Sequence, residues 1–466
     1  MSGLCGADRE GWTPCERGCA GAAGVLVPRC PVAGGVVVTD LARFRSVLRG
    51  AGRSRTVTTV LPPARVFEPE AFAAALGGAL EEGPAGPCPV VRSWFGQDGP
   101  YGERLKQASR TISVEGIRTL CGGGQSGQIP APSLDPTAGL LFFDLETTGL
   151  GGGSGTVAFV VGFGAFEGAR FHIWQFVLPS FSRERQLLSS VAAVVSRAHT
   201  LVTFNGRAFD APFLDTRWLY HRLNAPLGSL RHLDLLHVAR RVWGPETGGL
   251  GGLEDRVLGF CREGDVAGFE IPSRYFDYLR SGDPSPLRRV LLHNQLDLAS
   301  LGVLAGLACD LVDQGPSSAS DPRQCLGLGR LYERGGRGAD APACYEAAVA
   351  QAPGVCRPRG AAALTVRAEA FYRLALAQRR QRLHADEARH WQALLNLGRR
   401  PAGFFEREAF RALAVHYEHR LRDPERALAF ARRANAAECA VGRRREAKRR
   451  LERLERQLTA IGIGLS

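Results

Sequence analysis

Lysine is almost missing from this 466-residue chain: Lys106 and Lys448 stand out, while Lys and Arg together number 59 against 46 Asp and Glu. The formal charge of +13 is therefore carried by arginine, whose planar fork suits bidentate phosphate contact. A basic balance suits a polyanionic partner, although a GC-rich genome gives the same Arg-for-Lys bias, so the charge is mild support only. Long apolar runs are also missing. The opening "MSGLCGADREGWTPCERG" mixes both charge signs, and no uninterrupted apolar stretch approaches the roughly 20 residues that span a bilayer. The expectation is a cytoplasmic protein with no membrane partner. Closely paired cysteines are scarce too. Among twelve Cys, the cluster Cys5, Cys15, Cys19 and Cys30 has one CxxxC pair and no second, which argues for free thiols over zinc or disulfides.

What is present is an ordinary globular composition, 45% hydrophobic and 23% charged, with length for about three domains. Residues 1–137 alternate Gly/Pro-rich stretches such as "GGALEEGPAGPCP" with short strand-like runs. They read as an irregular N-terminal region ending in a linker. From Leu140 the pattern becomes strands alternating with helices: "LLFFDLE", "TVAFVVGFGAFEG" and "RFHIWQFVLP", then a helix from Ser182, the strand "TLVTFNG" and the amphipathic helix "FDAPFLDTRWLYHRLN". This predicts an α/β domain over 138–313 with a mixed sheet and flanking helices. "DQGPSSASDP" reads as a linker, and 323–466 as an all-α region. There Leu328, Gly329, Tyr332, Ala341, Tyr345, Ala348 and Pro353 fall where a tetratricopeptide-like repeat places its small and aromatic packing residues. Two weaker copies follow, around Leu374, Ala375 and Trp391, and around Leu413, Ala414, Tyr417 and Ala427. The last helix, "GRRREAKRRLERLERQL", can either touch phosphates or cap the array.

The chemistry concentrates in carboxylates. Asp144 and Glu146 end the first strand, and residues two apart on a strand share a side. Two like charges held together are unfavourable unless a cation neutralises them, which points to Mg²⁺ or Mn²⁺. Asp210 follows the Asn205–Gly206 turn at the start of a helix, a place that dipole capping alone also explains. In "VLLHNQLDLASLGVL", His293 and Asp297 lie one turn apart on a polar stripe with Arg289 and Ser300. An i,i+4 ion pair on a half-exposed helix is the plain alternative. The run "GLGGGSG" lacks the Lys-Ser/Thr ending of a phosphate loop. Asp234, between His232 and His237, raises the question of a separate metal site.

An Asp-x-Glu-Thr-Thr-Gly strand, an Asn-Gly-x-x-Phe-Asp turn and a late helix with His four residues before Asp, in this order, resemble the motifs of DEDD-type 3′-5′ exonucleases of the ribonuclease-H-like superfamily. The stretches "DLETTGLGGGSGTVAFVVGFG", "LVTFNGRAFDAPFL", "RHLDLLHVARRVW", "LEDRVLGFCRE" and "HNQLDLASLGVL" resemble the bacterial YprB-like group, which joins this domain to tetratricopeptide repeats. The resemblance implies a ribonuclease-H-like fold and hydrolysis of DNA or RNA at a single-stranded 3′ end. It implies that Asp144, Glu146, Asp210 and Asp297 hold two Mg²⁺ or Mn²⁺ ions, roughly 3.5–4 Å apart, which activate water and stabilise the leaving oxygen. His293 would be the general base, in a frame whose four-residue spacing belongs to the Tyr subclass. Thr147, Thr148 and Gly149 would contact the terminal nucleotide, Asn205 and Asn294 would orient water or substrate, and the repeats would recruit a protein partner. The competing function is a non-catalytic nucleic-acid-binding or scaffold protein that uses the repeats as an adaptor.

Overall fold

The computed structural model describes residues 68–96, 99–123, 135–149, 155–224, 226–350, 361–397, 403–437 and 441–460. The early cysteine cluster and Pro353 lie outside the described residues.

A seven-stranded sheet organises the chain, in the order β1-β2-β5-β4-β3-β6-β7. The strands are β1 (Ala79–Glu81), β2 (Cys88–Phe95), β3 (Leu140–Thr147), β4 (Ala158–Glu167), β5 (Arg170–Val177), β6 (Thr200–Thr203) and β7 (Arg231–Asp234). The β1-β2-β5-β4-β3 pairings are antiparallel, and β3-β6 and β6-β7 are parallel. β3 sits between β4 and β6 with both faces covered, hence its continuous apolar run. Its side chains alternate between two cores: Leu140 and Phe142 on one side, Leu141, Phe143 and Leu145 on the other. Asp144 and Glu146 continue the Leu140 and Phe142 side.

The expectation of an irregular region over 1–137 fails for its described part. Helix α1 (Pro69–Ala75) leads into β1 and β2, and β2 pairs with β5 from Val90↔Phe176 to Phe95↔Phe171. Helices α2 (Gly99–Thr111) and α3 (Val114–Cys121) then pack on the long helix near the end of the sheet unit. The sheet unit thus includes described residues from 68 on. Local signals hid this because β2 carries a proline among Gly/Pro-rich neighbours and forms its longer pairing with a strand some 80 residues later.

The connecting helices are α4 (Glu184–Val195), α5 (Asp210–Tyr220), α6 (Leu235–Val242), the single turn α7 (Leu250–Leu253) continuing as a π-turn over Glu254–Leu258, and α8 (Ile271–Ser281). The long helix α9 runs from Leu287 to Gln314. No side chain caps its start, and the nearby Ser285 hydroxyl donates to Asp283. The segment Leu287–Ser317 is apolar and long enough to cross a membrane by composition, although its apolar residues are interrupted by polar ones. In the fold 78% of its apolar 18-residue stretch is buried, so its apolarity belongs to the protein core. Gly306 accounts for the close seating of α2, since a Cβ there would lie 2.5 Å from Ala108.

Among the described residues the all-helical C-terminal region forms three packed pairs and a last helix: α10 (Pro322–Arg334) with α11 (Ala341–Ala350), α12 (Ala361–Arg380) with α13 (His384–Leu395), α14 (Gly403–His416) with α15 (Pro424–Ala437), and α16 (Val441–Ala460). Leu328, Tyr332, Ala341, Tyr345 and Ala348 are all buried. A Cβ on Gly329 would sit 2.3 Å from the Tyr345 ring, so the small residue admits the aromatic one. The expected linker at 313–322 is a tight connection: Asp321 caps α10, and one apolar core runs from α9 through α10 and α11. Leu454 and Leu458 bury α16 against α14 and α15, while Arg443, Arg450 and Arg453 pair with Glu408 and Glu418. These contacts seat α16 on the preceding helix pair.

Candidate active site

A cavity of about 940 Å³ opens at the end of β3, lined by Asp144, Glu146, Asp210, His293 and Asp297, with Thr147 and Gly149 beside them. Three separate chain segments supply the four carboxylates and His293. β3 ends in a register shift between Glu146 and Thr147, which ends regular pairing where the carboxylates emerge. Asp210 opens α5, and α9 presents His293 and Asp297 one turn apart.

Asn294 is fully buried beneath the site. Its Nδ2 donates to Asp144 Oδ2 at 2.7 Å, and its Oδ1 accepts from Gln175 Nε2 at 2.8 Å. Gln175 Nε2 also donates to the Leu291 carbonyl at 2.8 Å, which fixes the amide on β5 to α9. Gly162, paired with Asp144 across β3-β4, makes room for this bridge: a Cβ would fall 2.1 Å from Asn294 Oδ1. Gly162→Ala must push Asn294 off Asp144. A cost of about 1–3 kcal/mol is expected from the overlap alone, read as a lower melting temperature, whereas an unchanged one contradicts the bridge.

Asp144 and Glu146 keep some surface on the cavity, yet the surrounding protein displaces nearly all bulk water from them. Burial raises both pKa values well above the ordinary carboxylate range; for Asp144 the charges of Asp297 and Asp210 add to it, and for Glu146 that of Asp144. Asp210 is pushed up to about 7, by burial first and the Asp234 charge second. His293 is raised: burial acts against it, but the hydrogen bond to Asp265 and the charge of Asp297 outweigh burial.

Several expected residues stand elsewhere. Thr148 does not line the cavity, and its hydroxyl accepts from Val157 N at 3.0 Å, tying the turn to the start of β4. Asn205 holds a left-handed φ of 66° and donates its backbone N–H to Asp234. Asn294 acts from below the cavity. Ser300 is buried and bonded to Glu254, so the polar stripe on α9 runs from exposed Arg289 through the cavity residues His293 and Asp297 into the protein interior. Asp234 receives the N–H groups of Asn205, Arg207 and Leu236, which leaves it a structural cap and not a separate metal site.

The donor set fits a hard divalent cation: four half-buried carboxylates line one cavity and offer only oxygen donors. Among the described residues no three His, Cys, Asp or Glu side chains are already gathered into a ligand set. One cause is visible: Asp297 Oδ1 is held by Arg262. Arg262 and its partners Glu254 and Asp265 are what sequence reasoning missed. The quoted stretch "LEDRVLGFCRE" contained two of them, but no periodicity or spacing ties residues 254–265 to α9.

The family model described as the RNase_H superfamily matches residues 141–308, which includes all four carboxylates and His293. The chain is also 40% identical over 165 residues to an uncharacterised protein, YprB, of Bacillus subtilis (strain 168). That match covers 35% of this chain and 40% of the relative's length.

Proposed function

We propose that this cavity hydrolyses phosphodiester bonds, as a DEDD-type 3′-5′ exonuclease acting on an unpaired end of DNA or RNA. The observation that carries this reading is the convergence of Asp144, Glu146, Asp210 and Asp297 with His293 on one cavity, in a ribonuclease-H-like sheet. The four carboxylates would hold two Mg²⁺ or Mn²⁺ ions, which supply charge stabilisation and a more acidic water when bound. His293 would accept the proton of the attacking water through Nε2, the ring nitrogen not engaged by Asp265. Its neutral form is needed for that, so activity should favour pH above its ordinary value of about 6.5.

The apolar part of the lining supports a nucleotide as the substrate. Phe209 is 62% exposed beside Asp210 and, with Phe213, Ile271 and Pro272, gives the cavity apolar lining. An exposed aromatic ring is a platform for an unpaired base, worth about 1–3 kcal/mol per base stacked. The helical pairs of the C-terminal region would form a tetratricopeptide-like array for a protein partner, supported by the Gly329–Tyr345 packing.

An end-labelled single strand incubated with Mg²⁺ or Mn²⁺ tests the reading. Stepwise shortening from the 3′ end is expected, and a closed circular strand should survive. Cleavage of the circle would make the enzyme an endonuclease. No cleavage of any strand would favour the adaptor.

A further inference from the structure

Behind the cavity lies a charged network that the carboxylate motif does not include. The Arg262 side chain is 10% exposed, and its guanidinium meets three carboxylates. Nη2 donates to Glu254 and to Asp297 Oδ1, and Nη1 donates to Asp265 Oδ2 at 3.1 Å. Glu254 is buried and also accepts from Ser300 on α9 and, at 3.4 Å, from the Tyr101 hydroxyl on α2. A lone carboxylate at that depth is costly, so Arg262 and Glu254 hold each other in place. Tyr101 is fixed in turn by stacking on Phe260, with ring centroids 4.0 Å apart.

Asp265 carries this frame to the imidazole. Its two oxygens lie 2.8 and 2.9 Å from His293 Nδ1. The carboxylate can only accept, so Nδ1 bears the hydrogen. Nε2 is then left on the cavity side, 3.5 Å from Asp297 Oδ2. One guanidinium therefore sets both neighbours: it holds one oxygen of Asp297 directly, and it orients His293 through Asp265.

We propose that Asp265, held by Arg262, is a positioning residue for His293, fixing the ring so that Nε2 faces the substrate. The proposal rests on the reading of this cavity as a hydrolytic site. A His N–H bound to a carboxylate fixes tautomer and ring orientation and makes the other nitrogen more basic. Nothing in the i,i+4 spacing of His293 and Asp297 would do this, because a surface pair of that kind leaves both rotamers loose.

The test uses the full chain and the variants Asp265→Ala, Asp265→Asn, His293→Ala and the double Asp265→Ala/His293→Ala. Nitrogen-15 NMR of the metal-free protein, at a pH where the ring is neutral, reads the His293 tautomer without catalysis. The Nδ1–H form is expected in wild type, a mixture in Asp265→Ala, and recovery in Asp265→Asn, whose amide oxygen still accepts. On a labelled strand Asp265→Ala should lower kcat about 10–100-fold with KM little changed, and have no further effect once His293 is alanine. An unchanged tautomer, or a full-sized effect in the His293→Ala background, overturns the proposal. A protein that passes the NMR test but cleaves nothing sinks the hydrolytic reading instead and leaves the positioning standing.

Discussion

Asp144→Asn is expected to abolish cleavage, by on the order of 10³-fold or more in kcat/KM, the scale of several kcal/mol of lost charge stabilisation, while making the metal-free protein more stable. Both halves follow from one geometry. Asp144 is held from below by buried Asn294, with water displaced around it and the charges of Asp297 and Asp210 close by. Ionised, it destabilises the fold; as a ligand, it is what a divalent cation needs. The neutral amide ends the repulsion, and its oxygen still accepts from Asn294 Nδ2. The melting temperature without metal should rise by about 2–4 °C, as expected when about 1 kcal/mol is relieved in a unit of this size. Scanning calorimetry beside the cleavage assay checks both. A variant that melts lower and cleaves normally would show Asp144 to be a structural residue.

The second large effect concerns pH and metal together. A carboxyl with a raised folded pKa holds its proton more tightly in the folded than in the unfolded state. It therefore adds stability below its unfolded value and loses that contribution as pH rises through the folded one. For Asp210 the window runs from about 4 to about 7, and Asp144 and Glu146 shift in the same direction. The metal-free protein should melt progressively lower across that range. Millimolar Mn²⁺ should restore about 5 °C or more at about pH 8 and less than half as much at about pH 6, because at the lower pH the ion must displace protons. Thermal melts with and without the ion at both pH values give the answer. An equal gain at the two would mean the bound ion does not meet these carboxylates.

Much of this site was legible in the sequence because each part sits on a strongly patterned element. The apolar run Leu140–Phe143 forces a central strand, so Asp144 and Glu146 had to emerge at its end. The leucines around His293 and Asp297 force a core helix. What the sequence hid depends on contacts between distant segments. Arg262 and Asp265 lie in irregular chain, and only the folded arrangement brings them to Asp297 and His293. Tyr101 belongs to a segment that read as irregular, yet its hydroxyl supports Glu254 behind the site. Asn294 was singled out for substrate or water, whereas burial and the missing Cβ of Gly162 make it a prop for Asp144. In the C-terminal region the spacing of Leu328, Gly329 and Tyr345 was enough to foresee close helix packing. The connection at 313–322 looked like a linker by composition alone, although Ala319 and the α10 residues that follow pack into the core of the sheet unit.

The central claim is that these four carboxylates form a divalent-cation site. Anomalous scattering from crystals soaked in Mn²⁺ tests it most directly. The account predicts two peaks enclosed by Asp144, Glu146, Asp210 and Asp297, both lost in Asp144→Asn. Ordered manganese elsewhere on the protein, with none among these carboxylates, would contradict it.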